Sequence, residues 1–284
     1  MNWWEALIIG IVEGLTEYLP VSSTAHILLT QRIFGIGTSE AADAYAISIQ
    51  GGAILAVLGL YYRRVLQMAQ GTLHFGKGEY RDGFRLSMNI LAAFLPAAFI
   101  GLALDETIKE YLFGKKWGLW PIIIAWFVGG VAILLVSWMR RNRREDKRTS
   151  GLPLESLTLR LALVIGFAQC IAMWPGVSRS LLTIVGGLLV GLSLPASVEF
   201  SFLLGVLTLS AATAWDAWNH GAEMLRTFGL TPLIVGFIAA WASALIAVKW
   251  MVSYLQKHGL SIFGYYRIGI AILTAAAVLL GWLR

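Results

Sequence analysis

Residues 13–26, EGLTEYLPVSSTAH, bring two carboxylates, a run of three hydroxyls and an imidazole together around one proline. Glu13 and Glu17 are four residues apart, so on a helix they share one face. Carboxylates in apolar surroundings need a proton, a basic partner or a cation, and hard divalent ions bind carboxylate oxygens. The pair therefore predicts a metal site, with a structural ion pair or an interfacial helix end as the alternatives.

The hydroxyls follow Pro20, at the point where a second helix is expected to begin. Ser22, Ser23 and Thr24 are suited to capping that helix, and the same free N–H groups bind phosphate. A histidine beside a serine, with a carboxylate nearby, is typical of an activated hydroxyl. We therefore predict Ser23 as a nucleophile and His26 as its base. The alternatives are His26 as the nucleophile or direct attack by water.

A second polar cluster, WPGVSRS, occupies residues 174–180. Arg179 can bind phosphate oxygens in a bidentate fork, or it can neutralise the two carboxylates. Gly176 allows close approach of the backbone, and Ser178 and Ser180 add hydroxyls. Together the two clusters supply the nucleophile, base, metal platform and arginine of a phosphoryl-transfer centre.

The composition predicts an integral membrane protein. Of 284 residues, 58% are hydrophobic and 13% are charged, against about 25% charged in soluble domains. The mean hydropathy is +0.72. We interpret the net charge of +6 as topology signals beside spans, and we expect no nucleic-acid partner. The single cysteine, Cys170, excludes an internal disulfide.

Six segments are long and apolar enough to span a bilayer, which predicts an all-α polytopic protein. They are Ala42–Tyr62, Leu86–Leu104, Trp117–Met139, Ser197–Trp218, Leu230–Leu255 and Ile262–Leu283.

Basic residues in the loop Arg63–Arg85 and in the run Arg140–Arg148 predict that these two connections are cytoplasmic. The mixed-charge connection at residues 105–116 suits the outer side. On this topology both termini lie outside.

Two further apolar segments, Trp3–Phe34 and Leu157–Leu194, are each interrupted by a proline. Such breaks are tolerated at membrane depth only where protein or a water-filled cavity covers the backbone. We predict two re-entrant helical hairpins, the alternative being two kinked spans each. Each hairpin precedes three spans, so residues 1–139 and 157–284 form an inverted-topology repeat within one domain, 1–284. The hairpin tips should meet near the midplane.

The first cluster resembles the EGLTEFLPVSSTGH signature of the undecaprenyl-diphosphate phosphatases (the BacA/UppP family), and WPGVSRS resembles that family's second motif. The resemblance covers nearly the whole chain. It implies a bacterial inner-membrane enzyme that hydrolyses undecaprenyl diphosphate to the monophosphate, recycles the carrier for cell-wall synthesis and confers bacitracin resistance. It also implies dependence on a divalent cation, Mg²⁺ or Ca²⁺, and a site opening toward the periplasm. A homodimer is left open.

The resemblance assigns site residues position by position. Glu13 and Glu17 match the acidic pair that binds metal, and the hydroxyls and imidazole match the catalytic cluster. The substrate-binding positions are Ser22, Thr24, Gly176, Ser178, Arg179, Ser180 and Thr183. Ala25 replaces a family glycine, and Leu181 and Leu182 replace a glycine and a small residue. Leu181 would be costly if the chain needs an unusual backbone angle there, and the pocket would be narrower if substrate passes that point.

A polyprenyl-phosphate transporter built on the same repeat is the alternative function, because many carriers use broken helices. A carrier needs no nucleophile, so the group of Ser23, His26 and Glu17 favours the enzyme. An ion channel is disfavoured by the few polar residues in the full spans.

Overall fold

The computed structural model describes residues 1–36, 39–112, 117–142 and 151–283. Over these ranges the regular elements are eleven α-helices and three short 3-10 turns, and the all-α prediction is confirmed. The helices are α1 (Trp3–Thr16), α2 (Ser23–Ile33), α3 (Glu40–Leu60), α4 (Tyr62–Leu73), α5 (Arg81–Leu112), α6 (Trp120–Asn142), α7 (Leu159–Cys170), α8 (Arg179–Leu189), α9 (Leu194–Phe228), α10 (Leu230–His258) and α11 (Ser261–Leu279).

Six of these helices are long and apolar enough to cross a membrane: α3, α5, α6, α9, α10 and α11. They correspond one to one to the six predicted spans, and the protein is a multi-pass membrane protein. The outer faces of these helices carry large apolar side chains that would be costly in water, among them Phe99, Trp138 and Leu273. Such apolar surfaces are suited to contact with lipid.

The connection Arg63–Arg85 is more ordered than a plain loop, because α4 occupies its first half. Arg64 fastens α4 to the rest of the protein through Glu199 of α9, at 2.6 Å, and Glu155, at 2.8 Å. The basic run Arg140–Arg148 lies outside the described residues except for the end of the α6 backbone. The side chains of residues 105–116 also lie outside them, so the predicted sides of these connections stay predictions.

The two interrupted segments each form a pair of short helices in contact, α1 with α2 and α7 with α8. These helices have 14, 11, 12 and 11 residues, or about 17–21 Å at 1.5 Å per residue. Each is shorter than the roughly 30 Å hydrocarbon core, so no single one can cross it. The re-entrant path stays a prediction that these lengths support.

The two breaks share an unusual backbone conformation. Each ends in a serine with positive φ, 74° at Ser22 and 79° at Ser178, directly before the following helix. Superposing these serines aligns residues 6–15, ALIIGIVEGL, with residues 162–171, ALVIGFAQCI. In this alignment Pro20 is opposite Gly176 and not opposite Pro175. The match in residues is thus clearer in the helix before each break than at the prolines.

The helix partners follow the same division of the chain. The first helix of each interrupted segment packs against the middle span of the other half. Helix α1 packs against α10, and α7 packs against α5. Helix α3 packs on α9, and α6 on α11. This exchange of partners supports a repeat, and both the repeat and the inverted sense of the two halves stay predictions.

Close approach of α1 and α10 depends on glycine. A Cβ at Gly10 would meet the carbonyl oxygen of Gly236 and the methyl group of Ala239. Small residues at such contacts let two backbones pack directly in a membrane.

We predict that Gly10→Ala lowers the free energy of unfolding by about 1–3 kcal/mol, because the added methyl overpacks this contact. Gly269→Ala is the matched control, since a Cβ there meets nothing within 4 Å. Unfolding in mixed detergent followed by circular dichroism measures both. Equal stability of the two variants would contradict the packing role of Gly10.

Candidate active site

The two breaks meet on one carboxylate, that of Glu17. Ser23 Oγ, from the start of α2, donates a hydrogen bond to Glu17 Oε2. Arg179 Nη2, from the start of α8, donates to Glu17 Oε1 at 3.0 Å. All three side chains are largely buried, so the ion pair is only weakly screened by water. The structure therefore brings the predicted nucleophile and the predicted phosphate-binding arginine to opposite oxygens of the same group.

A cavity of about 120 Å³ opens over this contact. Both breaks and two spans line it: Glu17, Ser22, Ser23, Thr24, Gln50, Ala172, Met173, Trp174, Pro175, Gly176, Ser178, Arg179 and Leu209. Most of the predicted substrate-binding residues are thus at its wall, and Ser180, Thr183 and His26 are not.

The two helix starts at the cavity differ in their capping. In α8 the Ser178 hydroxyl accepts a hydrogen bond from the N–H of Leu181 at 3.3 Å. In α2 the Ser22 side chain makes no such bond, so the first N–H groups of that helix are uncapped. An uncapped helix start with exposed Thr24 beside it is suited to an anion.

Arg179 has donors beyond the ion pair. Nη1 donates to the carbonyl of Ser201 at 3.0 Å, and the guanidinium lies over the ring of Tyr18. Its Nε is buried and has no hydrogen-bond partner within the described residues. A buried charged donor without an acceptor is costly, and an oxygen of a bound anion would satisfy it.

Glu13 is fully buried one turn before Glu17, and neither of its oxygens has a hydrogen-bond partner among the described residues. A carboxylate in this position needs a proton or a cation. Oxygen ligands suit a hard divalent ion, so Glu13 and Glu17 could hold one. In the described parts of the chain, no group of three or more His, Cys, Asp or Glu side chains is placed to hold a metal ion, so further ligands would be hydroxyl or carbonyl oxygens, water or phosphate.

His26 is held by groups other than Ser23. Its Nδ1 lies 2.6 Å from the carbonyl of Ser22, and its Nε2 lies 2.8 Å from the hydroxyl of Tyr266. A carbonyl only accepts, so in the neutral ring Nδ1 carries the proton and Nε2 accepts from Tyr266. The predicted contact between Ser23 and His26 is absent from the hydrogen bonds of the described residues. The hydroxyl of Ser23 instead donates to the carboxylate of Glu17.

Ser180 and Gly176 of the second motif, and Thr183 after it, have structural contacts away from the cavity opening. Ser180 donates to the carbonyl of Leu19 at 2.8 Å and so ties α8 to the first break. Thr183 is fully buried, bonded to the carbonyl of Arg179 and, at 2.6 Å, to the hydroxyl of Ser201. Gly176 has φ 90°, and a Cβ there would press on Ile122 of α6.

In the first break, each of the four carbonyls of residues 19–22 accepts a hydrogen bond from a side chain. Ser180 binds the carbonyl of residue 19, Arg267 that of residue 20, Trp126 that of residue 21 and His26 that of residue 22. The four side chains come from α8, α11, α6 and α2. The break is therefore held from every side, which stabilises the positive φ that follows it.

Four of these neighbours are absent from the sequence predictions: Trp126, Tyr266, Arg267 and the cavity-lining Gln50. A signal existed for Arg267, because an arginine within an otherwise apolar span is a functional candidate. For the other three, only the tertiary structure reveals the contact.

The departures from the family motif do not reach the cavity. Leu181 is buried in a hydrophobic cluster with Tyr18 and Phe202, and neither it nor Leu182 lines the site. The unusual backbone angle falls on Ser178 instead, so neither leucine is strained. Ala25 is fully buried and packs with Ile122 and Trp126.

Comparison with known proteins gives consistent matches along the chain. The family model described as bacitracin resistance protein BacA matches residues 6–273. A Sorangium cellulosum protein named undecaprenyl-diphosphatase is 43% identical over 276 residues, 96% of this chain and 86% of the relative. Proteins of the same name from Nitrosomonas eutropha and Aquifex aeolicus are 41% and 38% identical. They cover 99% and 97% of this chain, and 99% and 98% of their own length.

We predict that Thr183→Val lowers the free energy of unfolding by about 1–2 kcal/mol, because the hydroxyl of Ser201 loses its buried partner. Binding of inorganic phosphate should be unchanged, since Thr183 does not line the cavity. Thr24→Val should do the reverse and weaken phosphate binding at unchanged stability. Calorimetric titration and detergent unfolding measure the two effects, and weaker phosphate binding by Thr183→Val would place Thr183 in the site.

Proposed function

This chain belongs to the bacitracin resistance protein BacA family, and on that premise we propose that it is an undecaprenyl-diphosphatase. It hydrolyses undecaprenyl diphosphate to undecaprenyl phosphate and inorganic phosphate. The carrier lipid is thereby recycled for cell-wall synthesis, and the activity confers bacitracin resistance. The observation that carries the chemistry is that Ser23 and Arg179 meet on Glu17 at the wall of one cavity.

In the first step, Ser23 Oγ attacks the terminal phosphorus. Glu17 Oε2 already accepts the hydrogen bond of this hydroxyl, so it takes the proton as the new O–P bond forms. The bond from phosphorus to the bridging oxygen breaks, and undecaprenyl phosphate leaves. Glu17 returns the proton to the departing oxygen, and the enzyme retains a phosphoserine.

In the second step, water attacks the phosphoserine phosphorus. Glu17 accepts a proton from this water and gives it to Ser23 Oγ as the P–O bond to the serine breaks. Inorganic phosphate leaves, and the resting contact between the two side chains is restored.

Arg179 stabilises the charge that develops on the transferred phosphoryl group. Its unpartnered Nε offers a donor at once, and Nη2 becomes a second when the Glu17 contact loosens on proton uptake. Residues of the uncapped start of α2 and Gln50 of α3 line the same cavity. These groups hold the phosphoryl oxygens while Ser23 attacks.

Glu13 and Glu17 would hold the divalent cation, Mg²⁺ or Ca²⁺. The partnerless oxygens of Glu13 are the best fit, because both oxygens of Glu17 are already engaged. When bound, such an ion would supply positive charge that neutralises part of the phosphate charge.

His26 serves as a structural support rather than as the nucleophile. Both of its ring nitrogens are engaged, and the residue does not line the cavity. We further propose that the enzyme lies in the bacterial inner membrane, with the site open to the periplasmic side and both termini outside. A transporter needs no nucleophile, so the contact between Ser23 and Glu17 favours the enzyme.

The direct test is Ser23→Ala, which should reduce phosphate release on the order of a thousandfold or more because the nucleophile is lost. Ser253→Ala, at an exposed serine of α10, is the matched control and should retain full activity. Substrate carrying radioactive phosphorus in its terminal phosphate should label the wild-type protein at Ser23. A label at His26 alone would assign the nucleophile to the histidine. If the wild-type protein releases no phosphate from the substrate, the proposed enzymatic function is refuted.

For the metal, we predict that Glu13→Gln raises the cation concentration needed for half-maximal activity by at least about tenfold, since a charged oxygen ligand is lost. The stabilisation of the protein by Mg²⁺ or Ca²⁺ in thermal unfolding should shrink in parallel. Glu223→Gln, at an exposed position of α9, is the control. An unchanged metal titration in Glu13→Gln would place the ion elsewhere.

A further inference from the structure

We infer that Arg267 of α11 is a positioning residue for the reaction, because it fixes the two breaks against each other through their backbone carbonyls. Its Nη1 donates to the carbonyl of Pro20 at 3.2 Å, and its Nη2 donates to that of Gly176 at 2.9 Å. One planar guanidinium therefore binds both breaks at once. The inference rests on the proposed function, since the effect on turnover follows from the roles of Ser23 and Arg179.

The surroundings of Arg267 contain acceptors but no counter-ion. The side chain is fully buried, and it takes part in no ion pair of the described residues. Nη2 also donates to the carbonyl of Ala125 at 2.8 Å, and Nε donates to that of Trp126 at 3.4 Å. Buried arginines within membranes pair with carboxylates or with backbone carbonyls, and here carbonyls provide every contact.

The two carbonyls that Arg267 joins occupy matching places. Pro20 is three residues before Ser23, and Gly176 is three residues before Arg179, with a positive-φ serine between them in each break. A peptide group is planar, so fixing its carbonyl also fixes the direction of the chain that follows. Through these two peptides, Arg267 sets where Ser23 and Arg179 stand relative to Glu17.

Helix α6 leaves room for this guanidinium. A Cβ at Gly129 would collide with Nη2 of Arg267, so the glycine is required by the arginine rather than by its own backbone angle. This gives a second way to disturb the contact, in which the arginine itself is retained.

Arg267 acts through the backbone rather than on the substrate. It is not among the residues that line the cavity, and Trp126 and the two breaks surround it. Lysine would keep the charge, but its single nitrogen cannot span both carbonyls as two guanidinium nitrogens do.

The experiment compares Arg267→Lys with Arg63→Lys, an exposed control, in the purified full-length protein. We expect Arg267→Lys to lower kcat/KM for phosphate release from undecaprenyl diphosphate by about 10- to 100-fold, as small misplacements of reacting groups do. Gly129→Ala should give a loss in the same direction with the arginine present, and it serves as the test if the lysine variant does not fold. Wild-type kcat/KM in both variants would overturn the inference.

A double-mutant cycle separates positioning from general destabilisation. Arg179→Lys should cost much less in the Arg267→Lys background than in the wild type, because the guanidinium of Arg179 is already misplaced there. If Arg267 contributes only to stability, the two losses multiply, and that result would refute the positioning role.

A readout without turnover distinguishes this inference from the proposed function. A trifluoromethyl label on Met173→Cys, in a Cys170→Ser background, reports on the cavity wall by ¹⁹F NMR. One sharp resonance should become several or broaden in Arg267→Lys and in Gly129→Ala, and stay sharp in Arg63→Lys. An unchanged resonance in the two test variants would overturn the inference, whether or not the wild type releases phosphate.

Discussion

An exposed backbone cannot be left without hydrogen-bond partners inside a membrane, and this constraint explains most of the architecture around the cavity. Interrupting a helix frees carbonyls that lipid cannot bind, at a cost of several kcal/mol each. Here the four carbonyls of residues 19–22 are bound by side chains from four different helices. The carbonyls of residues 20 and 21 depend on α11 and α6 in particular, so separating these helices from the break would remove those bonds.

The functional side chains are divided unequally between two breaks of similar backbone conformation. Alignment at the positive-φ serines sets Glu13 against Gln169, Ser23 against Arg179 and His26 against Leu182. One break carries the acid, the hydroxyl and the imidazole, while the other carries the cation. Glu17 then joins them, accepting from the serine with one oxygen and from the arginine with the other.

The fold was predictable from hydropathy because each span is a long apolar run, and few structures other than a membrane-spanning helix accommodate such a run. The convergence of the two breaks was also predictable, since two carboxylates and an arginine in lipid need each other. The hydrogen-bond partner of Ser23 was not predictable, because the spacing of residues along α2 does not determine the orientation of the His26 ring. His26 turns to the carbonyl of Ser22 and to Tyr266, a residue from the far end of the chain. An arginine within the apolar span α11 was a signal, but the partners of Arg267 could not be predicted, because backbone carbonyl acceptors leave no trace in side-chain patterns.

The small size of the cavity has a consequence for how the lipid is chosen. About 120 Å³ is far below the roughly 300–1,000 Å³ of pockets that enclose an entire organic ligand. Only the polar end of an isoprenoid can be enclosed, and the hydrocarbon remains in the bilayer. The protein therefore selects its substrate by the head group. The length of the hydrocarbon tail is set by the lipids that are present in the surrounding leaflet.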